Sequence, residues 1–519
     1  MKSRSYKDAI NVLNSLQSNF ASIEATRKLG PNVNRNLLLI NEVYEYISRL
    51  NYAPKDFNKM NIIHVTGTKG KGSTCAFTES ILTNYLRSSD SLVSKSRPIS
   101  KIGLFTSPHL KSVRERIRIN GAPINESKFT KYFFEVWDLL SSTKSDPVKF
   151  PTLQPCDTVK PMYFKYLTIL SFHVFLREGV DTAIYEVGVG GTYDSTNIID
   201  KPSVTAISAL GIDHTFMLGS TIESITENKT GIFKNGCPAV VSTQIEYPES
   251  NEMIKKRAEE LGVSSLEFVP QDLLPKHIKL GLGGDFQRQN AALAVKIATT
   301  HLKNLGVSPE NLPKFSEDGT QLEDDLPQQF IDGLAKVDWP GRCQIVSNKP
   351  DYEGITWFID GAHTLESIAV ASSWVKQELT HKTNIKKPNV LLFNQQSREN
   401  VDELLTKLYE SVYPEVKFDH VIFTTNVTWS SGDYNPDLVS MNSSKEQVDK
   451  LIVQKQLAQT WTDLDAKHKN SSRKHIFPDI ETGLNFIRSL TVDNEADVFV
   501  CGSLHLVGGV LVVLDNERD

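Results

Sequence analysis

The sequence predicts an α/β fold of two domains, each built on a mainly parallel sheet with helices on its faces. Three observations lead there. Short apolar runs bounded by turn residues alternate with stretches of helical period, the rhythm of βα units. The length, 519 residues, is more than one core usually serves, at about 100–200 residues per domain. The strand-like runs also fall into two series, separated by the acidic, Pro-containing stretch Ser316 to Gln329. The boundary is placed near Asp338-Trp-Pro-Gly-Arg342, giving domains 1–336 and 337–519, the second the smaller.

Taken in order, Lys2, Arg4 and Lys7 precede an amphipathic stretch, Ala9 to Leu16. It matches a mitochondrial transit peptide only in part, and its composition favours an ordinary first helix. The buried strands of the first series are Ile62–Val65, Ile102–Phe105, Ala183–Val187, Val204–Ile207 and Ala239–Val241. Tyr163–Leu176 and Ala291–Leu302 are too long for strands and read as buried helices. The second series offers strands at Thr356–Ile359, Val390–Phe393, Val421–Thr424 and Val498–Val500. The helices between them are Leu365–Leu379, Val401–Tyr409 and Lys445–Trp461. Three polar insertions, Ser88–Ser100, Ser141–Lys160 and Thr380–Pro388, read as surface loops, since their Ser, Lys and Pro content gives little to bury.

Composition excludes several classes. With 57 Lys+Arg against 62 Asp+Glu and 39% hydrophobic residues, the composition argues against wholesale disorder and against a fibrous protein. A net charge of −5 argues against a protein that coats nucleic acid, while leaving room for a local anion site. Cys75, Cys156, Cys237, Cys343 and Cys501 are scattered and odd in number, which disfavours a disulfide framework or a structural zinc site. No apolar run is long enough to span a bilayer, so a soluble intracellular protein is expected.

The strongest motif is Ile62-Ile-His-Val-Thr-Gly-Thr-Lys-Gly-Lys-Gly-Ser-Thr74, an apolar strand entering a glycine-rich loop and a helix that starts near Ser73. Gly67, Gly70 and Gly72 let backbone N–H groups turn inward, and with the helix N-terminus they form an anion cradle. Lys71 would reach the β/γ-phosphates of a nucleotide as a point charge. The loop is shorter than the usual P-loop, and Gly72 separates Lys71 from Ser73.

Next comes Phe105-Thr-Ser-Pro-His-Leu110, where Pro108 ends a strand and holds Ser107 at its C-terminal end, the edge where open α/β sheets gather ligands. Arg114, Arg116 and Arg118 alternate with Val113, Ile117 and Ile119, so a strand with one triply cationic face is expected, ended by the Asn120-Gly121 turn. The alternative is a solvated edge strand. In Ile184-Tyr-Glu-Val-Gly-Val-Gly-Gly191, Glu186 lies in a strand apolar on both faces, and a carboxylate there needs a cation. Glu186, Asp213, His214 and Lys229 would gather at one sheet edge if their strands were neighbours. Magnesium is then the sensible counter-ion, although a nitrogen ligand is unusual for it and spacing alone does not lead to His214. In the second domain Asp360, His363 and Ser503 follow strands. Each has the alternative of a cap or turn residue. A Ser/His/Asp hydrolase would need a G-x-S-x-G elbow, which is missing.

These segments, together with Glu115-Arg-Ile-Arg-Ile-Asn-Gly121, Asp360-Gly-Ala-His363 and Gly502-Ser-Leu-His505, strongly resemble the folylpolyglutamate synthase family of the Mur-ligase superfamily, in order and over nearly the whole chain. The resemblance looks closest to the eukaryotic, fungal form: Lys69 stands where bacterial relatives commonly have Asn, and Asn394-Gln-Gln-Ser-Arg398 is present. It implies an N-terminal P-loop-type ATPase domain and a C-terminal Rossmann-like α/β domain. It also implies an ATP-dependent ligase that adds L-glutamate to the γ-carboxyl of a reduced folate through an acyl phosphate. By that resemblance Gly70, Lys71, Gly72 and Ser73 hold the ATP phosphates, and Arg342 and Asp360 contact ATP from the second domain. Ser107, Glu186 and His214 take the magnesium positions. Lys229 matches a lysine carbamylated in bacterial members, Arg116 resembles a substrate-side arginine, and His363 and Ser503 resemble residues near the glutamate pocket.

ATP between domains that close, Mg²⁺, and a monovalent cation such as K⁺ as a further candidate complete the expectation. So do a monomer with no nucleic-acid partner and no integral membrane segment, and a location in cytosol, mitochondrial matrix or both, without a clear transit peptide. Dihydrofolate synthase, acting on dihydropteroate by the same chemistry, is the near alternative. An inactive nucleotide-binding scaffold is the distant one, disfavoured because Lys71, Glu186 and His214 are all present.

Overall fold

The structure, a computed structural model, describes residues 4–18, 35–87, 98–380, 387–395, 400–431, 437, 450–491 and 495–518. It divides into two compact units. One comprises Met1–His109, Arg114–Gly281 and Asp285–Asp338; the other comprises Leu110–Val113, Leu282–Gly284 and Trp339–Asp519.

The first unit's strands are β1 (Ile63–Thr66), β2 (Ile102–Phe105), β3 (Ile117–Ile119), β4 (Ala122–Pro123), β5 (Thr182–Glu186), β6 (Val204–Ile207), β7 (Pro238–Ser242) and β8 (Ser265–Val269). They form one sheet in the order β4-β3-β2-β5-β1-β6-β7-β8. From β2 to β8 every pair is parallel, and the β2–β3–β4 end is antiparallel. β1, β2, β5 and β6 are buried throughout, as β-branched and aromatic runs covered on both faces require. The helices are α1 (Tyr6–Ser15), α2 (Arg35–Arg49), α3 (Lys71–Thr83), α4 (Glu126–Ser142), α5 (Tyr163–Glu178), α6 (Thr215–Leu218), α7 (Ile222–Thr230), α8 (Glu249–Leu261), α9 (Gln287–Asn304) and α10 (Gln328–Lys336). α3 is packed by α9 and α10. Gly333 of α10 allows the closest approach, since a Cβ there would stand 2.5 Å from the Ile81 Cα.

The second unit adds β9 (Gln344–Val346), β10 (Ile355–Ile359), β11 (Asn389–Phe393), β12 (His420–Thr424), β13 (Arg473–Phe477) and β14 (Ala496–Cys501), in the order β13-β12-β11-β14-β10-β9. Only β9 runs antiparallel in this sheet. Its helices are α11 (Leu365–Thr380), α12 (Val401–Val412), α13 (Ile452–Lys467), α14 (Ile480–Ser489) and α15 (Leu504–Leu514). α15 is buried from Leu506 to Leu514, and at about 1.5–3 kcal/mol per fully buried Leu or Val it anchors one face of the sheet. Among the described residues, no helix is long and apolar enough to cross a membrane. All five cysteines are free thiols and buried.

Several sequence expectations need correction. The helix after β1 starts at Lys71, because Gly70 adopts φ +82° as its N-cap, so Gly72 lies in the helix. Val113–Arg116 is a 3₁₀ turn, and the strand is only Ile117–Ile119; the alternation that would align three arginines is thereby broken. The Asn120-Gly121 hairpin does form, with both residues at positive φ.

Ser141–Lys160 is largely an exposed loop, as expected, but it is tied down at a few buried points. Arg49 donates to the Leu140 and Thr143 carbonyls at 2.5 and 3.0 Å. The buried Lys160 ammonium donates to the Cys156 and Asp157 carbonyls and lies 5.4 Å from the Trp137 ring centre. Buried cations satisfied by carbonyls let a polar sequence fold inward. Residues 88–97 and 381–386, most of the other two insertions, lie outside the described residues, as do Lys2, Gln396-Ser-Arg398 and the 445–449 portion of the helix placed at Lys445–Trp461.

Candidate active site

In the first unit, β1 lies between β5 and β6, with Val65 opposite Glu186 and Thr66 opposite Ile207. β5 and β6 are therefore not neighbours, and the loop leaving β1 emerges between their ends. It is clamped to the segment after β6. The Thr68 and Lys69 N–H groups donate to the Ala209 carbonyl at 2.9 and 3.0 Å, and the Ser208 hydroxyl donates to the Lys69 carbonyl at 2.6 Å. Two glycines are required here. A Cβ on Gly67 would stand 1.9 Å from Ser208 Oγ, and one on Gly70 2.1 Å from Asn290 Oδ1. Ser73 lies in the first turn of α3, with Gln287 Nε2 donating to its hydroxyl at 3.3 Å. Gln287 and Asn290 are thus placed at the loop, and sequence reading passed over them. Their signal was two amides three residues apart, opening an otherwise Ala-rich buried helix.

Lys71 Nζ donates to the Gly67 carbonyl at 3.0 Å, and Lys229 Nζ donates to the same oxygen at 2.8 Å. Burial first, and then the Lys71 charge, hold the Lys229 ammonium well below the ordinary lysine range; Asp213 and Asp194 oppose that shift. Lys229 is set by a glycine run, for a Cβ on Gly191 would meet the Asn228 and Lys229 carbonyls at 2.8 Å. Asp194, also missed on the sequence, shapes that run. Its buried carboxylate accepts from the Gly188 and Val189 N–H groups at 3.1 Å each and from Thr196 at 2.9 and 2.6 Å.

Glu186 ends β5 with 4% exposure, and its Oε2 accepts the Ser107 N–H at 2.9 Å. Arg116 donates to His109 Nδ1 at 2.9 Å and lies 5.4 Å from the Tyr163 ring centre, while the Glu186 charge acts on its guanidinium. The other two arginines are employed elsewhere: Arg114 donates to the Ile124 carbonyl, and Arg118 lies 3.6 Å from Glu79. His214 stands half exposed at φ +51°, its Nε2 3.9 Å from Asp213. Among the described residues no group of three or more His, Cys, Asp and Glu side chains could hold a metal, so Glu186, Asp213 and His214 do not form such a set. Glu186 and Ser107 do meet, through the Ser107 backbone N–H, so one buried carboxylate and one serine are the oxygen-bearing side chains placed together at this strand edge.

In the second unit, Asp360 follows β10 and accepts the Cys343 and Ala362 N–H groups at 2.8 Å each. Burial raises its carboxyl above the ordinary range, and Arg342 is the first influence opposing this. Arg342 Nη1 donates to the Gly341 carbonyl at 3.0 Å. His363 Nδ1 lies 2.8 Å from the Gly361 carbonyl, and Ser503 caps α15, accepting the Leu506 N–H at 3.1 Å.

Known proteins are similar to this chain in sequence and in fold. A family model described as dihydrofolate synthetase, C-terminal domain, matches residues 343–513. A folylpolyglutamate synthase of Candida albicans is 65% identical over 99% of this chain and 97% of its own. A Mycobacterium tuberculosis folylpolyglutamate synthase complexed with ADP has the same fold, with a TM-score of 0.67 at 22% identity over 99% of both chains. So does a bifunctional folylpolyglutamate synthase/dihydrofolate synthase of Yersinia pestis complexed with AMPPNP and a Mn ion, at 0.61 and 23% over 95% of this chain and 96% of that one. A phosphate-type loop beside a buried strand-end carboxylate on an α/β sheet is the arrangement of a nucleotide-binding protein, and with these relatives the class is that of the ATP-dependent ligases. The chain belongs to the folylpolyglutamate synthase family, whose members join glutamate to folates.

Proposed function

We propose that the ligation proper to this family, addition of L-glutamate to the γ-carboxyl of a reduced folate, is carried out by the residues described above. The observation that carries this reading is the loop Gly67–Ser73, opening between Glu186 and the segment after β6. A carboxylate does not react with an amine at neutral pH, so it must first be phosphorylated to an acyl phosphate, which the glutamate amine then attacks. Lys71, the loop N–H groups and the N-terminus of α3 neutralise the moving phosphoryl group. Ser107 and Glu186 would hold a divalent ion, read here as Mg²⁺, which supplies charge neutralisation on the phosphates when bound. His214, half exposed, would be the third residue to serve that ion. Arg342 and Asp360 serve ATP, Arg116 the folate, and His363 and Ser503 the glutamate. Lys229, whose pKa burial holds well below the ordinary lysine range, is the lysine that would be carbamylated.

Dihydrofolate synthesis is the second reading, favoured by the family description matched at residues 343–513. Product analysis with tetrahydrofolate and dihydropteroate supplied separately tests both: polyglutamylated tetrahydrofolate supports the first, and product only from dihydropteroate overturns it. The same reading takes the protein as a monomer of the cytosol or mitochondrial matrix, to be tested by sedimentation and fractionation.

A further inference from the structure

Three loops follow the C-terminal ends of three adjacent parallel strands in the second unit: Asp360–His363 after β10, Asn394-Gln395 after β11 and Gly502-Ser503 after β14. Gly502 links all three. Its N–H donates to the Ala362 carbonyl at 3.0 Å, and its own carbonyl accepts from Gln395 Nε2 at 2.8 Å. A Cβ on Gly502, which has φ +114°, would stand 2.6 Å from the Asn394 carbonyl oxygen, so the turn fits only against β11's loop. Behind it lies a buried carboxamide array. Gln454 Nε2 donates to Asn394 Oδ1 at 3.0 Å and to the Thr424 carbonyl at 3.1 Å, and Asn394 Nδ2 donates to Asn426 Oδ1 at 2.8 Å. Asn394, Gln395 and Gln454 are each at most 1% exposed. Burying this many polar groups at a strand edge is costly unless they are hydrogen-bonded, and a bonded network of this kind holds the strand-end loops rigid.

We propose that Gln395 is a positioning residue for the amino-acid substrate. It holds the Gly502 carbonyl, and through it fixes Ser503 at the start of α15 and Ala362-His363 beside it, in register for the incoming glutamate. This rests on the reading of Ser503 and His363 as the glutamate side of the site.

The test uses the full-length enzyme with Gln395→Met, which keeps the shape and removes the donor. KM for glutamate should rise on the order of tenfold, the usual consequence of one orphaned buried acceptor. KM for ATP should stay within about twofold, as should glutamate-independent acyl phosphate formation trapped by hydroxylamine. Equal loss in all three would overturn the proposal, as would an unchanged KM for glutamate. Should Gln395→Met fail to fold, Gln395→Glu decides. A protonated carboxyl can donate to the Gly502 carbonyl and a carboxylate cannot. KM for glutamate, relative to wild type at each pH, must therefore climb as pH rises through the buried carboxyl's raised pKa. A flat ratio overturns the proposal. Ser503→Ala separates the two levels: if it leaves KM for glutamate unchanged, the underlying reading of the pocket fails instead.

Discussion

Lys71 and Lys229, 158 residues apart in the chain, donate to one acceptor, the Gly67 carbonyl, at 3.0 and 2.8 Å. Two ammonium groups on one carbonyl repel each other, and the buried Lys229 bears the consequence. Lys71→Met should therefore raise the proton affinity of Lys229 without restoring it to the ordinary range, because burial remains. Competitive acetylation of Lys229 followed against pH by mass spectrometry measures this. The midpoint should move up in the variant, and an unmoved midpoint would show that the two charges do not communicate.

Lys71→Ala bears on the chemistry itself. If Lys71 neutralises the transferring phosphoryl group, its loss should lower kcat on the order of 10³-fold. Lys69, whose partner is the exposed Glu246 at 3.6 Å, should tolerate the same change with little effect. Steady-state kinetics of both variants side by side make the comparison. Near-normal kcat in Lys71→Ala would reduce the loop to a structural turn.

Glu186→Gln removes charge and keeps shape. The amide oxygen can still accept the Ser107 N–H, so the thermal midpoint should hold within a few degrees while turnover collapses. A titration of activity against Mg²⁺ is the check. Wild-type turnover at saturating metal would remove Glu186 from the site.

Legibility followed local sequence strength. The four-residue strands around the site were readable because apolar runs bounded by turns leave few alternatives, and β2 and β6 match residue for residue. The glycine loop was readable because glycine, lysine and helix start lie within seven residues. What escaped was set by distant neighbours. The 3₁₀ turn at Val113–Arg116 defeats an alternation that is regular on paper. Asp194 and Gln395 act through backbone groups, and Gln287 through the Ser73 hydroxyl, that folding alone brings to them. The anchoring of the segment around Ser145 depends on Arg49, nearly a hundred residues earlier.

Acid should destabilise the first unit through two buried histidines. His64, with Nε2 2.8 Å from Thr196 Oγ1, and His301, between Ser203 and Thr182, are each pushed down to about 3 by burial. The unfolded histidines bind protons near pH 6.5 and the folded ones do not, so stability falls as pH drops from about 6.5 towards 3. Each histidine contributes up to about 1.4 kcal/mol per pH unit in that window. Replacing either with Gln should flatten the decline in urea midpoints between pH 6.5 and 4. An unchanged slope would mean that both histidines are protonated in the folded state.

Arg342 and Asp360 let binding and folding be separated. Burial raises the Asp360 carboxyl and Arg342 counters it, while Asp360 orders the turn by accepting the Cys343 and Ala362 N–H groups. A carboxyl raised in the folded state favours folding most at low pH, and that advantage is lost as pH rises through its folded pKa. Arg342→Ala raises it further, so the variant's deficit relative to wild type should be small in acid and grow towards neutrality. ATP use should weaken at every pH, because the planar guanidinium fork is gone. Arg342→Lys divides the two roles: an ammonium restores the charge beside Asp360, so the neutral-pH thermal midpoint should recover, while KM for ATP stays elevated for want of paired donors. Thermal melts across pH alongside ATP kinetics for both variants decide the matter. Parallel recovery of stability and ATP use in Arg342→Lys would show that charge alone is what Arg342 provides.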